Sequence, residues 1–503
     1  MGDSPGLKNR WRRPWVIAAA AAVVLVLALG ATAGTVWWRH VHSGQGMLIP
    51  EGAYTGPEDV PPPGASSEGA IAPEHRFVAA VDPSGRFFLD QAGDPILVQG
   101  DSPWSLLTDV APDDAETYFR VRAEQGFNAA IVSLVGAEAN GAPSDDGATY
   151  DGVLPFGDEG VLDWNPPYWD RAHDYLRMAA ERGVTVFLYP IDGWTVGHAF
   201  SPRDQGECRA FGEQVALWAR DLPNIVWMTG GDYFPVTNEP EEGSDVDRCM
   251  SGALDGIRAT GDDRPFSIQL GYQKSISSDN PYWADRVDFD FVYTYYPTYR
   301  AVREAYGRLP ARPALFGEGN YDGLNLRPET PDTTDETLRR QYLWAVTSGS
   351  PGAFYGTADW RFEEGWPERL SRPGTTQLSR LAALVASLPW WELVPDVDGR
   401  LVTDGAGTEV QDDTPLDVLE SDFATAALTA DGSTALVYVP TARTIGLDVG
   451  AVAPQASAYW VDPASATAVP TELSASMTTP GRNSAGAEDW LLVVTTAELP
   501  GVS

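Results

Sequence analysis

Two carboxylates each sit at the end of an apolar, strand-like run and inside a glycine turn. Asp232 closes Ile225-Val226-Trp227-Met228-Thr229-Gly230-Gly231-Asp232, and Glu318 closes Ala314-Leu315-Phe316-Gly317-Glu318 before Gly319-Asn320-Tyr321. A pair of this kind can act from two sides of one glycosidic bond. One group protonates the leaving oxygen, and the other attacks the sugar carbon or activates a water. The proton donor needs a raised pKa, which burial or a neighbouring carboxylate supplies. The plainer alternatives are a turn or helix-cap role for Asp232 and a structural ion pair for Glu318.

These two residues need a scaffold that brings distant strand ends together. Between residues 76 and 395, strand and helix signals alternate. After an opening hairpin around Phe87-Phe88-Leu89-Asp90, strands are expected at 95–100, 128–134, 184–190, 225–228, 265–270, 291–295, 314–318 and 352–355. Helices are expected at 113–125, 168–182, 207–221, 245–260 and 334–348. Eight strands alternating with helices predict a (β/α)8 TIM barrel, with Asp232 after the fourth strand and Glu318 after the seventh. A doubly wound open sheet is the alternative, but no GxGxxG follows a first strand. From 396 to 503 helix periodicity gives way to short strands separated by Gly, Pro and Asp, which predicts a small β-sandwich.

Strand ends and the loops after them supply the candidate substrate contacts. Asp101 and Trp104 follow the first strand, where Asp101 would bind a hydroxyl pair and Trp104 would stack on a sugar face. Asn128 opens the second strand, and Asp192 and Trp194 follow the third. Tyr293 and Tyr295 alternate on the sixth and so share one face. Tyr321 and Trp360 are candidate aromatic walls. Barrel packing is the alternative role for each.

Composition narrows the function classes. Asp and Glu total 71 against 34 Lys and Arg, a net charge of −37, which argues against a nucleic-acid partner. His173 and His198 form no metal-ligand pattern, HExxH is missing, and no cofactor is implied. No Gly-x-Ser-x-Gly elbow is present, which disfavours a serine esterase. Lys8, Arg10, Arg12 and Arg13 precede an uncharged apolar stretch from Trp15 to Trp38. Its length suffices to span a bilayer. Residues 1–14 then read as a cytoplasmic tail, 15–38 as a transmembrane anchor and 39–75 as a Pro/Gly/Ser-rich tether, with the rest extracytoplasmic. A signal peptide cleaved after Ala31-Thr32-Ala33 is the alternative. Cys208 and Cys249 lie in or near the helices flanking the fourth strand, and outside the membrane a disulfide between them is expected; two buried thiols are the alternative.

The run Arg86-Phe87-Phe88-Leu89-Asp90 to Gly93-Asp94-Pro95, then Gly100-Asp101-Ser102-Pro103-Trp104, resembles the opening of the apiosidase-like glycoside hydrolases. Gln125-Gly126-Phe127-Asn128 is similar to that family's Gly-Phe-Asn at the second strand, and Trp227 to Asp232 to its Trp-x-x-Gly-Gly-Asp segment. Glu318 with Tyr321 resembles its later Glu and aromatic, and Leu388-Pro389-Trp390-Trp391-Glu392-Leu393-Val394-Pro395 its exit from the barrel. Ser102 stands where the family usually has Thr, and Pro103 looks inserted. The resemblance implies a TIM barrel of the retaining clan, with acid/base Asp232 after strand four and nucleophile Glu318 after strand seven. It implies an oligosaccharide or polysaccharide substrate containing apiose- or arabinofuranose-like pentoses. The C-terminal part resembles the β-domain often found behind such barrels, sometimes labelled collagen-binding. A non-catalytic carbohydrate-binding or cell-wall scaffold protein is the competing reading, but a scaffold has no need of both carboxylates.

Overall fold

The computed structural model describes residues 71–72, 74–200, 203–233, 245–271, 273–325, 332–410 and 416–499. The apolar segment from Trp15 to Trp38 and nearly all of the expected tether lie outside these residues. Among the described residues no helix is long and apolar enough to cross a membrane.

Eight parallel strands carry the architecture: β1 Val98–Asp101, β2 Ala129–Ser133, β3 Thr185–Tyr189, β4 Ile225–Tyr233, β5 Phe266–Leu270, β6 Asp290–Thr294, β7 Ala314–Glu318 and β8 Gly352–Tyr355. They pair in the order β5-β4-β3-β2-β1-β8-β7-β6, and a short strand, Lys274–Ile276, adds antiparallel to β6. The result is a nearly closed, TIM-barrel-like sheet. No backbone ladder joins β5 to β6, and side chains stitch that seam instead. Ser267 Oγ donates to Phe289 O at 2.6 Å, Ser277 Oγ donates to Ile268 O at 2.6 Å, and the Phe291 N–H donates to Ser277 Oγ at 2.8 Å.

Helices α1 Pro112–Glu124, α2 Pro166–Glu181, α3 Gln205–Trp218, α4 Asp245–Ala259, α5 Thr298–Gly307, α6 Asp335–Thr347 and α7 Pro373–Ala386 follow β1–β4 and β6–β8. Their ends follow local chemistry. Proline occupies the first turn of α1, α2 and α7, where its missing N–H costs no bond. Asp204 and Thr334 cap α3 and α6 through their side-chain oxygens. Among its described residues, the β5–β6 connection holds no α-helix longer than the four-residue Pro281–Ala284. Sequence periodicity did not single out α5 or α7. Helix α7 is apolar on much of its surface because it is covered, with Leu381 and Val385 fully buried.

Strand alternation decides which side chains enter the barrel. Val98, Ala129, Ile131, Phe187, Tyr189, Val226, Met228, Phe291, Tyr293, Leu315 and Phe354 form the inner core. Phe88 of the opening hairpin packs edge-on against Phe289 and belongs to the same core. On the outside, α3 and α4 meet backbone to backbone. A Cβ on Gly212 or Gly256 would lie 2.0 Å from the facing carbonyl of Ala253 or Arg209, so neither position admits a side chain. Cys208 and Cys249 are joined across this helix pair, with their Cα atoms 5.0 Å apart.

The C-terminal strands are β9 Val394–Pro395, β10 Val402–Asp404, β11 Thr425–Leu428, β12 Thr434–Val439, β13 Thr444–Leu447, β14 Ser457–Asp462, β15 Thr467–Thr471, β16 Ser476–Thr478 and β17 Trp490–Thr495. They form two antiparallel sheets, ordered β9-β11-β12-β17-β14-β15 and β10-β13-β16. One apolar core joins the two, with Leu401, Ile445 and Met477 from the smaller sheet meeting Val437, Trp460 and Leu492 from the larger. The opposite face of the larger sheet packs on the barrel, where Tyr438 and Leu491 share a core with Leu343 and Trp344 of α6. Arg339 of α6 pairs with Asp489 at 2.9 Å, their side chains 1% and 0% exposed. Arg340 donates to the carbonyls of Ser421 and Pro440, each at 2.9 Å. A pair sealed this deeply leaves an uncompensated charge if one partner is lost. Asp489→Ala should therefore cost about 3–5 kcal/mol of stability, read as a lowered urea midpoint.

Candidate active site

Bulges turn both carboxylates. Along β4 and β5, Gly230 faces Gln269 but the next pair is Tyr233 with Leu270, so Gly231 and Asp232 are extra residues. Gly230 and Gly231 have φ of 95° and 80°, and Asp232 itself has φ 50°. The first two need glycine on that ground alone. At Gly230 a Cβ would also lie 2.0 Å from the Gln269 carbonyl oxygen. An aspartate in this left-handed region stores about 1 kcal/mol of strain. On β7, Phe316 pairs with Val292 and Glu318 with Tyr293, leaving Gly317 unpaired. Strict alternation would send Glu318 outward with Phe316, away from inward Leu315. The bulge brings it inward, and Gly317 is small because a Cβ there would lie 2.2 Å from the Phe291 ring.

Glu318 is surrounded by donors. Gln269 Nε2 donates to its Oε2 at 2.6 Å, and the Tyr295 hydroxyl reaches Oε1 at 3.4 Å. The hydroxyls of Tyr321 and Tyr293 also favour its charged form. Behind these stand two further contacts: Trp104 Nε1 donates to the Tyr321 hydroxyl at 2.8 Å, and the Tyr189 hydroxyl donates to Gln269 Oε1 at 3.0 Å. Tyr293 and Tyr295 join hydroxyl to hydroxyl at 2.7 Å. Asp232 is served more sparely. The Tyr293 hydroxyl favours its charged form, while its Oδ1 is buried with no partner among the described residues.

Burial raises both carboxyls because it penalises their charged forms. Asp232 is pushed up to about 7. Glu318 is pushed up to about 8, by burial first and by repulsion from Asp232 second, with the Gln269, Tyr321 and Tyr293 donors opposing. Two like charges this strongly linked share protons as a pair. Tyr189, Tyr293, Tyr295 and Tyr321 are all driven well above the usual phenol range, by burial first, and stay protonated.

Six of the sequence-derived candidates lie on this inner wall or at its rim: Trp104, Tyr293, Tyr295 and Tyr321 inside, Trp194 and Trp360 at the edge. The ring of Trp194 lies 3.8 Å from where a Cβ on Gly231 would project. Trp360 packs half-buried against the inner core, beneath the Arg361 guanidinium at 4.4 Å. Three other candidates are engaged in contacts of the scaffold. Asp101 points outward, on the opposite strand face from Val98, and is held by Arg122 Nε and the Tyr118 hydroxyl, each at 2.6 Å. Asn128 lies at the other end of the barrel, where its amide bridges the Gln99 N–H and the Leu97 carbonyl at 2.8 Å. Asp192 is consumed by Ser133, Asn140 and the N–H groups of Trp194 and Thr195, all within 2.9 Å. Sequence reading missed Tyr189 and Gln269. The available signal was a polar residue on the inward face of an apolar strand, with Gln269 two residues from Ser267. No group of His, Cys, Asp and Glu among the described residues is arranged to hold a metal ion.

The family described as apiosidase-like, catalytic domain, matches residues 82–392. A crystal structure of a glycoside hydrolase family 5 protein from Bacteroides vulgatus ATCC 8482 superposes with a TM-score of 0.69 at 19% identity, covering 84% of this chain and 93% of that one. A second structure, described as a glycoside hydrolase, gives 0.69 at 20%, covering 84% and 98%. At such identities the likeness concerns the fold. No curated protein matches the chain.

A stability effect follows from the raised carboxyls. The two shifts belong to the pair: carboxyls that ionise at 3.8 and 4.5 in the unfolded chain are raised to about 7 and about 8 in the fold. Folding therefore loses stability as pH rises from about 4 toward about 8. Glu318→Gln removes one of the two titrating groups and so weakens that dependence. The melting temperature of Glu318→Gln minus that of the unaltered protein should grow between pH 5 and pH 8, as measured by calorimetry.

Proposed function

The chain belongs to the apiosidase-like family of glycoside hydrolases, and on that premise we propose a retaining enzyme in which Asp232 is the acid/base and Glu318 the nucleophile. The two bulges carry this reading, because they turn Asp232 and Glu318 into one buried chamber, where Asp232 raises Glu318 by direct repulsion. Such closeness fits the retaining spacing of about 5–5.5 Å.

Near neutral pH the pair holds one proton. The surrounding hydrogen bonds favour its residence on Asp232. Several donors converge on Glu318 and stabilise a carboxylate, while the sealed Oδ1 of Asp232 has none among the described residues. Ionised Glu318 then attacks the anomeric carbon as Asp232 gives its proton to the departing oxygen. In the second half Asp232 takes a proton from water, which displaces Glu318 and restores both groups. Trp104, Trp194 and Trp360 supply aromatic faces for sugar rings. Family likeness supports a glycan containing apiose- or arabinofuranose-like pentoses as the substrate.

The basic flank and apolar run at Trp15–Trp38 support anchoring in the membrane with the barrel outside. The Cys208–Cys249 disulfide fits that oxidising side.

Glu318→Gln should lower hydrolysis of activated aryl glycosides by at least about a thousandfold. Asp232→Asn should lose most on poor leaving groups, about 10²–10⁴-fold, and least on good ones. The first-formed product, followed by NMR, should keep its anomeric configuration; an inverted product would remove Glu318 as nucleophile. Protease treatment of intact cells should release the barrel, whereas a mature soluble form beginning at Gly34 would refute the anchor.

A further inference from the structure

The donors around Glu318 differ in kind. A tyrosine hydroxyl can donate to a carboxylate or accept from a carboxylic acid, so by itself it does not choose between the two forms. A primary amide also has two faces, but its orientation commits it: the nitrogen side only donates and the oxygen side only accepts. Gln269 presents its nitrogen to Glu318 at 2.6 Å and its oxygen to Tyr189 at 3.0 Å. All three residues are buried, at 1% exposure or less for Gln269 and Tyr189 and 6% for Glu318.

We propose that Tyr189 is a positioning residue that locks the Gln269 amide with its nitrogen toward Glu318, and so holds Glu318 as a carboxylate ready to attack. This deepens the nucleophile assignment above and rests on it for its catalytic meaning. The lock follows from counting partners. In the observed orientation the Tyr189 O–H has an acceptor in Gln269 Oε1, and Glu318 receives an N–H. Turning the amide over would offer Oε1 to a protonated Glu318. It would also leave the Tyr189 O–H buried without an acceptor, since that hydroxyl makes no other hydrogen bond among the described residues. A buried donor left unpaired is costly, so the turned amide and the protonated acid it requires are both disfavoured. With a phenyl ring at position 189, either orientation leaves the same number of buried amide groups unpaired. The bias is then gone.

The groups that face Glu318 are few enough to make this visible. They are Asp232 from β4, Tyr189 from β3, Gln269 from β5, Tyr293 from β6, Tyr295 just past its end, and Tyr321 from the loop after β7. Neither Glu318 nor Asp232 forms an ion pair with an arginine or lysine described here. With no cation among the described residues to hold the charge, the hydrogen-bond donors carry that work. Tyr293, Tyr295 and Tyr321 remain in every variant below.

Infrared spectroscopy reads the proton directly and needs no substrate. The carbonyl stretch of protonated Glu318 is the band that disappears in Glu318→Gln. Its titration midpoint should rise by about one pH unit in Tyr189→Phe, equivalent to one buried group losing its partner. In Gln269→Met, which removes the donor itself, the midpoint should rise at least as far. The double variant should match Gln269→Met alone, because Tyr189 acts through the amide. The acid limb of the pH profile with an activated aryl glycoside should move by the same amount. An unchanged midpoint in the folded Tyr189→Phe protein would overturn the lock, and so would additive shifts in the double variant. If Tyr189→Phe does not fold, an unchanged midpoint in Gln269→Met overturns it alone. Should Glu318→Gln still hydrolyse the glycoside at full rate, the nucleophile assignment fails, while the infrared midpoints still decide the lock.

Discussion

Two carboxyl groups that repel each other are held in one dry chamber, and much of the barrel is arranged around that fact. Left in water, each would ionise near pH 4 and neither would carry a proton at neutrality. Enclosed by Trp104, Tyr189, Tyr293, Tyr295 and Tyr321, both are raised, by burial first. The strain is spread over several small devices: a left-handed Asp232, an orphaned Oδ1, and glycines that let strand backbones approach where side chains would not fit. Stability is given up at the pair proposed above as catalytic, a common exchange at such sites.

The rest of the scaffold keeps this chamber from relaxing. Strand β4, which delivers Asp232, lies between α3 and α4 in the chain. Those helices are clamped by glycine contacts and by the Cys208–Cys249 bond. Closing a loop of 41 residues restricts the unfolded chain and is worth about 4 kcal/mol in the entropic account. Helix α6, which follows β7 and Glu318, is fixed from the other side by the C-terminal sheets. Arg339 and Arg340 are sealed into that contact, and Gln341 on the same helix accepts from the Asn320 N–H just past Glu318. The β-domain is thus continuous with the barrel core, and its packing bears on the strand end that carries Glu318.

Asp101, Asn128 and Asp192 show how far residue type can mislead. All three are polar residues near strand ends, where sugar contacts are usually found. Asp101 faces outward because the strand period is two and Val98 faces in. It then completes a buried pair with Arg122 of α1. Asn128 marks the start of its strand, at the far end from the mouth. Asp192 is folded into its own turn, accepting from the two N–H groups that follow it. Each performs a structural task that only a neighbour brought by the fold could assign.

The sequence by itself determined the scaffold and the principal pair. Alternating strand and helix signals, helix caps and glycine punctuation are local properties, and they placed all eight barrel strands, with Asp232 at the end of the fourth and Glu318 at the end of the seventh. The cysteine partnership was legible for the same reason, since consecutive barrel helices are neighbours. Tertiary structure alone decided what depends on register and on convergence. The bulge at Gly317 reverses the direction that alternation would give Glu318, and no period in the chain announces it. The hydrogen-bonded chain from Tyr189 through Gln269 to Glu318 joins residues 80 and 49 positions apart, and it exists only because curvature of the sheet points three strands at one centre.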